Sequence, residues 1–170
     1  MLLEHKVAIV VGGGQTPGET IGNGRATAIT FAREGAHVWV GDRCIDSARE
    51  TVAMIERDGG RARAGYVDVT DEPSVARMIA DCRDAFGRID VLHNNVGVSL
   101  TGGDATLEEI TTQAFDAVTS INLRGMVLTC KYALRIMRAQ RSGVIVNISS
   151  MAAWASYPYV AYKTSKAGVI

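Results

Sequence analysis

Short apolar, β-branched runs alternate along the chain with longer stretches whose apolar residues recur at helical spacing. The first run, Val7–Val11, is continuously apolar, as is expected of a strand covered on both faces of a sheet. The next stretch, Arg25 to Glu34, carries apolar residues at helical intervals and ends at Gly35. The same alternation predicts strands at residues 37–41, 62–67, 91–94 and 144–148, and helices at residues 46–57, 71–86, about 111–140 and from 158 onward.

Regular βα alternation with right-handed crossovers predicts a doubly wound α/β fold, with a parallel sheet and helices on both faces. The 170 residues suffice for one domain with its own core, and we assign residues 1–170 to it. The last helical pattern reaches Val169 and Ile170 without a capping Gly or Pro. We therefore expect the chain to be a fragment or a truncated product whose C-terminal part is missing.

Composition narrows the classes of partner. Apolar residues make up 47% of the chain and 18 basic residues balance 18 acidic ones, which is typical of a soluble globular protein and disfavours nucleic acid or an anionic membrane as a partner. Charged residues interrupt every apolar stretch, and the N-terminus leaves no room for a signal peptide before the first strand. Cys44, Cys82 and Cys130 are far apart and odd in number, which favours core thiols in a reducing cytoplasm over disulfides or metal ligands.

A glycine-rich segment joins the first strand to the first helix, with Gly12–Gly14 at one end and Gly22–Gly24 at the other. Glycines here allow a tight turn and a close approach to a pyrophosphate, which the free N–H groups of the helix would bind. The segment is longer than the usual dinucleotide fingerprint, and residues 18–24 offer a second match, so two alignments compete. The predicted cofactor-binding residues of this turn are Gly12, Gly14, Gly22, Asn23 and Gly24, and only Gly22 and Gly24 belong to both alignments.

Asp42 ends the second strand 18 residues after Gly24, close to the spacing of ~20 expected for the acid that binds the adenosine ribose. A carboxylate there accepts from both ribose hydroxyls and repels a 2′-phosphate, so NAD is predicted in preference to NADP. The alternatives are an Asp that caps a turn, and a role for Arg43 in accommodating the phosphate. For the choice between NAD and NADP we give Asp42 more weight than Arg43.

Tyr162 and Lys166 lie four residues apart, on one face of the last predicted helix. A free tyrosine is a poor base at neutral pH, but a neighbouring ammonium favours the phenolate. The pair follows a strand that ends in Ser149 and Ser150, at the edge where open α/β sheets bind ligands. These residues together predict acid–base chemistry beside a dinucleotide.

With these features the whole chain resembles the short-chain dehydrogenase/reductase family. The matching segments, in order, are the glycine turn, Asp68 within Tyr66–Val69, Asp90 within Gly87–Leu92, Asn94–Gly97 with Val96 in place of the family's Ala, Asn122 within Ser120–Leu123, and Asn147–Ser150 together with Tyr162 and Lys166. The resemblance implies a Rossmann-type fold and transfer of a hydride between NAD(H) and a secondary alcohol or ketone. It also implies that the full-length protein is a dimer or a tetramer.

The resemblance implies a role for each catalytic candidate. Tyr162 would be the general acid/base, and Lys166 would favour its phenolate and bind the nicotinamide ribose. Ser150 would hold and polarise the substrate oxygen, and Ser149 is the alternative candidate for this role. Asn122 would hold a water that links Lys166 to solvent, at a local irregularity of its helix.

Further positions are implied on the adenosine side of the cofactor. Asp68 would reach the adenine beside Val69, and Asn94, Val96 and Gly97 would line the adenosine.

Several neighbouring residues are better explained by structure than by chemistry. Asn94 and Asn147 would fix adjacent backbone, and Asp90 would cap the start of its strand. His93 stands where an apolar residue is usual, and we interpret it as a core histidine with satisfied hydrogen bonds and no chemistry.

Three aromatic residues, Trp154, Tyr157 and Tyr159, follow the serines. They suggest an apolar or ring-shaped substrate, with packing against a missing segment as the alternative. Two other functions compete with the oxidoreductase: a dinucleotide-binding regulatory or scaffold protein without catalysis, and a methyltransferase on a related sheet, against which Tyr162 and Lys166 argue.

Overall fold

The computed structural model describes residues 1–16 and 18–170; Pro17, in the long part of the glycine segment, lies outside the described residues. One parallel sheet contains strands β1 (Val7–Val11), β2 (His37–Asp42), β3 (Arg61–Tyr66), β4 (Val91–Asn94) and β5 (Val144–Asn147), in the order β3-β2-β1-β4-β5. The helices are α1 (Asn23–Arg33), α2 (Ile45–Arg57), α3 (Glu72–Phe86), α4 (Thr112–Thr119), α5 (Gly125–Gln140) and α6 (Val160–Ala167).

The central strand β1 is buried along its whole length, as its apolar run predicts. Successive side chains of a strand point to opposite faces, so Ile9 packs on the side of α3 and α5 while Val10 packs on the side of α1 and α2. Each face therefore has its own apolar core. The predicted doubly wound α/β fold is confirmed.

The predicted helices and strands begin within two residues of the observed ones. The long helical region is interrupted in the middle, because residues Ser120–Arg124 form a π-helical segment between α4 and α5. The irregularity predicted at Asn122 is thus confirmed. π-helical turns place an extra residue in the helix and often occur at functional sites.

Strand β5 departs from the prediction that helices cover both faces of the sheet. Ile145 packs against the core shared with α5, but Val144 and Val146 point to the opposite face and are 59% and 37% exposed. No helix among residues 1–16 and 18–170 covers that side of β5. The reason is that α1 packs over β1 and β2, too far along the sheet to reach β5.

The three cysteines are free thiols, and only one of them is a core residue. Cys82 is fully buried, and this burial raises the pKa of its thiol to about 12. Cys130 is half-buried, whereas Cys44 is exposed at the start of α2. The prediction of a core position is therefore wrong for Cys44, because the chain turns at the surface between β2 and α2.

The strand order reverses direction at β1, which pairs with β2 on one side and with β4 on the other. After β1 the chain passes to one face of the sheet, and after β4 it passes to the other face. This divergence leaves a crevice at the carboxyl ends of β1 and β4. Among the described helices, none is both long and apolar enough to cross a membrane.

Candidate active site

The turn after β1 is built for close backbone contact. Gly12 has a φ of +77°, a conformation that favours glycine, and an added Cβ would lie 3.0 Å from a methyl group of Val96. Gly24 packs directly on the carbonyl group of Gly12, so the first turn of α1 abuts the end of β1. Gly22 is the N-cap of α1 and gives no side-chain hydrogen bond, so the first amides of this helix have no side-chain acceptor at the cap.

The long glycine segment is closed by Gln15, a residue that the sequence analysis missed. Its amide oxygen accepts from the backbone N–H of Gly22 at 2.7 Å, and its Nε2 donates to the carbonyl oxygens of Thr16 at 2.7 Å and Thr20 at 2.9 Å. The backbone of Gln15 is in turn bonded to the hydroxyl of Ser47 on α2. Gln15 thus brings Gly22 back to the turn despite the added length.

The two competing glycine alignments differ in their packing. An added Cβ on Gly14 would lie 2.7 Å from Asp42 Oδ2, whereas one on Gly18 would meet, among the described residues, only the carbonyl oxygen of Thr16, at 4.0 Å. Glycine is therefore required by close contact at Gly14 but not at Gly18. This geometry favours the alignment that begins at Gly12.

Asp42 lies against this turn, at the end of β2. Its Oδ2 accepts from the backbone N–H of Gly14 and its Oδ1 from that of Cys44, both at 2.9 Å. Each oxygen retains a lone pair for a further donor, because a carboxylate offers about four acceptor sites. Arg43, the next residue, is exposed.

Asp68 and Val69 follow β3 at the same edge of the sheet. Asp68 Oδ1 accepts from the hydroxyl of Thr70 at 2.7 Å and from its backbone N–H at 2.8 Å, and these bonds lower the pKa of the Asp68 carboxyl. Val69 is buried against Gly125, where the π-helical segment passes into α5. Asp42 and Asp68 therefore lie at the carboxyl ends of two neighbouring strands, β2 and β3.

The amide of Asn94 is used inside the protein. It donates to Asn147 Oδ1 at 2.8 Å and accepts from the hydroxyl of Thr129 at 2.7 Å, which joins β4 to β5 and α5. Asp90 accepts from the backbone N–H of Val7 and pairs with Arg88, as expected of a residue that fixes the start of a strand.

The interpretation of His93 as a satisfied core histidine is wrong in one respect. The side chain is buried and lies edge-on against Phe31, at 5.9 Å between ring centroids, but its Nδ1 has no hydrogen-bond partner in the described structure. Burial lowers the pKa of this imidazole. The reason is that α1 presents the apolar ring of Phe31 at this position.

Lys166 is the central group of the site. It is 3% exposed, has no carboxylate partner within the described residues, and donates from Nζ to the carbonyl oxygen of Ile148 at 2.8 Å. Its Nζ lies 5.8 Å from the ring centroid of Tyr162, one turn earlier in α6. Burial lowers the pKa of the ammonium. A buried cation without a counter-ion is costly, and such groups concentrate at functional sites.

Gly97 makes room for this lysine. A Cβ added to Gly97 would lie 3.0 Å from Nζ and 3.2 Å from Cε of Lys166. The segment after β4 therefore lies directly against the ammonium. Val96, one residue earlier, packs on Gly12, so this short segment links the glycine turn to the lysine.

The two serines after β5 have different hydrogen bonds. Ser149 donates its hydroxyl proton to the carbonyl oxygen of Lys166 at 2.7 Å. Ser150 Oγ accepts from the backbone N–H of Ala152 at 3.1 Å, a bond that leaves the hydroxyl proton of Ser150 available. Because polarising a substrate oxygen requires that proton, the geometry favours Ser150 over Ser149.

Asn122 is buried within the π-helical segment. Its side chain exchanges a pair of 2.8 Å hydrogen bonds with the backbone of Val98, and its Nδ2 also donates to the hydroxyl of Ser165 at 3.0 Å. Both amide hydrogens are thus used to join the segment after β4 to α6. Asn122 holds these two elements together around Lys166.

The aromatic residues after the serines are partly packed and partly exposed. The ring of Tyr157 lies 5.5 Å from that of Tyr159 and 5.6 Å from that of Tyr162, whereas Trp154 is 75% exposed. A second missed residue, Asp104, contacts the start of α6 nearby. The sequence gives no sign of this contact, because the two amides of α6 that donate to Asp104 lie 57 and 58 residues away.

The chain is similar in sequence to known proteins of one family. The sequence profile of the family described as "short chain dehydrogenase" matches residues 6–170. The chain is 38% identical over 168 residues to an uncharacterized oxidoreductase, YxbG, of Bacillus subtilis (strain 168), with 98% of this chain and 58% of that protein covered. It is 39% identical over 167 residues to the cis-4-hydroxycyclohexanecarboxylate dehydrogenase of Sinomonas cyclohexanicum, with 97% and 63% covered.

A solved structure shows the same fold. The crystal structure of a putative short-chain dehydrogenase/reductase from Burkholderia xenovorans superposes with a TM-score of 0.91 at 38% identity, and covers 98% of this chain and 65% of that one. The chain spans about three-fifths of the length of the curated relatives it matches. The family uses NAD(P) and consists of oxidoreductases. By its sequence, its fold and its relatives, this chain belongs to the short-chain dehydrogenase/reductase family.

Proposed function

We propose that this protein transfers a hydride between NAD(H) and a secondary alcohol or ketone, with Tyr162 as the general acid/base. The observation that carries the proposal is the burial of Lys166 without a carboxylate partner in the described structure, with its ammonium 5.8 Å from the ring of Tyr162. An uncompensated cation favours the negative form of a neighbouring phenol.

The proton steps follow from these residues. In the oxidising direction, the phenolate oxygen of Tyr162 accepts the proton of the substrate hydroxyl as the carbonyl bond forms. In the reducing direction, the phenol returns that proton to the carbonyl oxygen. Ser150 donates its uncommitted hydroxyl proton to the same substrate oxygen, which polarises the carbonyl and holds it beside Tyr162.

The residues at the carboxyl edge of the sheet fit a dinucleotide. At Gly12, Gly14 and Gly24 an added Cβ would meet neighbouring protein atoms, so these glycines keep the turn tight, and the amides at the start of α1 are suited to the pyrophosphate with Gly22 and Asn23. When bound, the nicotinamide supplies the acceptor or donor of the hydride.

The adenosine half is assigned to the edge where β2, β3 and β4 end. Asp42 binds the ribose hydroxyls, and its charge favours NAD over NADP despite the neighbouring Arg43. Asp68 and Val69 face the adenine. The remaining contacts come from the segment Asn94–Gly97, in which Asn94 acts through its backbone because its amide is already engaged.

Asn122 keeps the proton relay in place. It ties the segment after β4 to α6 on either side of Lys166, and the π-helical segment provides the irregular backbone for a water between Lys166 and solvent.

The substrate is assigned to an apolar, ring-shaped alcohol or ketone. Tyr157 packs on Tyr162, and the exposed indole of Trp154 follows the serines. The name of the Sinomonas relative describes a hydroxylated cyclohexane ring that also carries a carboxylate, so it supports the ring shape and not the apolar character. We place the protein in the cytoplasm as a homo-oligomer, and light scattering on the purified protein tests the assembly.

The decisive experiment compares Tyr162→Phe with the wild-type protein. NADH oxidation is measured with a panel of cyclic and acyclic ketones, and NADH affinity by calorimetry. General acid–base catalysis contributes roughly 10²–10⁴-fold, so we expect a loss of kcat of at least about 100-fold with nearly unchanged NADH affinity.

Tyr132→Phe is the matched control. It also removes one phenolic hydroxyl, which bonds Glu72 at 2.8 Å far from the proposed chemistry, and should leave kcat unchanged. Retained turnover in Tyr162→Phe contradicts the assignment of the acid/base. NADH binding by the wild-type protein without turnover of any substrate supports the non-catalytic, regulatory alternative instead.

A further inference from the structure

Helix α6, which carries Tyr162 and Lys166, begins without a cap of its own. The residue at its N-cap, Tyr159, provides no side-chain hydrogen bond. The first amides of a helix have no partner within the helix and need acceptors from elsewhere. Here the acceptors come from the loop after β4, more than fifty residues earlier in the chain.

This loop accepts from three successive amides of α6. The N–H of Val160 donates to the carbonyl oxygen of Ala105 at 3.1 Å. The N–H of Ala161 donates to Asp104 Oδ1 at 2.9 Å, and the N–H of Tyr162 itself donates to Asp104 Oδ2 at 2.8 Å. One carboxylate therefore caps the helix through tertiary contact.

The carboxylate of Asp104 is saturated and rigidly held. It is 5% exposed, and each oxygen accepts a second bond: Oδ1 from the N–H of Ala105 at 3.0 Å and Oδ2 from the hydroxyl of Ser99 at 3.1 Å. Gly103, in the left-handed conformation with a φ of +85°, turns the chain so that Asp104 points inward. A negative charge at a helix N-terminus is also favoured by the helix dipole.

The same loop reaches the ring of Tyr162 by a second route. Ser99 Oγ lies 3.4 Å from the hydroxyl of Tyr157, and the ring of Tyr157 packs 5.6 Å from that of Tyr162. Tyr162 is thus held through its backbone by Asp104 and through its ring by Tyr157. Both contacts converge on one loop.

We propose that Asp104 is a positioning residue for Tyr162, which sets the place of the phenol relative to Lys166 and the substrate. The proposal rests on the proposed function, since it assumes that Tyr162 transfers the proton. Asp104 does not touch the substrate; it fixes the first turn of α6, and Lys166 follows one turn later. Loss of the cap allows this turn to fray and the phenol to move.

The test uses Asp104→Ala and Asp104→Asn. A displacement of about 1 Å in a catalytic geometry costs on the order of 100-fold in rate, so we expect kcat of Asp104→Ala to fall by about that factor with nearly unchanged KM for NADH. The pH at which kcat reaches half its plateau should also shift, because the phenol loses its fixed distance from the ammonium. Asp104→Asn retains one acceptor oxygen and should recover part of the loss.

Hydrogen exchange provides a readout that does not depend on activity. In the protein without cofactor, the amides of residues 160–163 should exchange faster in Asp104→Ala, while β1 exchanges as in the wild type. The matched control is Asp71→Ala, which removes the cap that Asp71 provides to Ser74 in α3. It should destabilise its own helix while leaving kcat and the pH profile unchanged.

Each outcome decides one point. Faster exchange at residues 160–163 together with the loss of kcat and the shifted profile supports the proposal. Unchanged kcat, or a loss of kcat equalled by Asp71→Ala, overturns it. If Asp104→Ala does not fold, Ser99→Ala, which removes one donor to the carboxylate and the contact to Tyr157, must show the same effects in weaker form, and their absence also overturns it. Failure of the proposed function is recognised separately, as activity in Tyr162→Phe or none in the wild type.

Discussion

Replacing Lys166 with methionine should make the protein inactive and more stable at the same time. The ammonium is buried without a carboxylate partner in the described structure, and the free energy lost by taking such an ion out of water is several kcal/mol. A methionine side chain has a similar length and fills the space without that penalty. The change therefore removes an unfavourable term from the folded state.

The substitution also removes two favourable contacts. The carbonyl oxygen of Ile148 loses its donor at 2.8 Å, which costs about 1–3 kcal/mol. The contact with the ring of Tyr162, at 5.8 Å, contributes about 0.5–1 kcal/mol. Against a desolvation penalty of several kcal/mol, we expect Lys166→Met to be more stable by roughly 1 kcal/mol at neutral pH.

The pH dependence of the free energy of unfolding provides a second test of this prediction. Burial lowers the pKa of Lys166 in the folded protein, whereas in the unfolded chain the pKa is about 10.4. Between these two values the unfolded state binds more protons, so the stability of the wild type rises with pH. The stability advantage of Lys166→Met should therefore narrow as the pH is raised toward the unfolded-state pKa of about 10.4.

The assay is urea unfolding without cofactor, at several pH values. Lys163→Met is the matched control on the same helix, because Lys163 is only half-buried and donates to the carbonyl oxygens of Ala152 and Ala155. It should lose stability. A Lys166→Met variant less stable than the wild type by about 1 kcal/mol or more, or an advantage that does not change with pH, would refute the reasoning.

Two further predictions concern His93 and Asp42. Because burial lowers the pKa of His93, the unfolded state binds more protons below about pH 6.5 and the protein loses stability as the pH falls, by at most about 1.4 kcal/mol per pH unit. His93→Leu should flatten the urea-unfolding profile between pH 7 and 5, and an unchanged slope would contradict the role of this group. Asp42→Asn keeps an acceptor for Cys44 but loses its charge, so the ratio of NAD to NADP affinity measured by calorimetry should fall about tenfold, a difference of ~1.4 kcal/mol. The control is Asp46→Asn, on the exposed first turn of α2, which should leave the ratio of NAD to NADP affinity unchanged. An equal fall of the ratio in Asp46→Asn would contradict the assignment of Asp42.

Much of the fold could be predicted because its signals are local. The apolar run Val7–Val11 indicates a strand buried on both faces, and the alternation that follows specifies the parallel sheet. The exposed face of β5 could not be predicted, because Val144 and Val146 look like core residues in the sequence. Their exposure depends on where α1 packs, which is a property of the whole sheet.

The candidate site likewise contains features that local sequence predicts and features that depend on the whole fold. The spacing of Tyr162 and Lys166 places both on one face of a helix, whatever the surroundings. The glycines after β1 also predict a tight turn. The choice between Ser149 and Ser150 depends on which hydroxyl meets the carbonyl of Lys166, and that contact exists only in the folded chain. The unpartnered nitrogen of His93 likewise depends on the neighbour that α1 provides.

The sequence by itself determined the elements, the parallel sheet that they form, and the chemical groups at the carboxyl edge of that sheet. Only the tertiary structure decided how those groups are held: Gln15 closing the long glycine segment onto Gly22, and Asp104 capping the helix of Tyr162. The physical reason is the range of the interactions. Periodicity and glycine conformation act over a few residues, whereas a buried carboxylate finds its donors wherever folding brings them within about 3 Å.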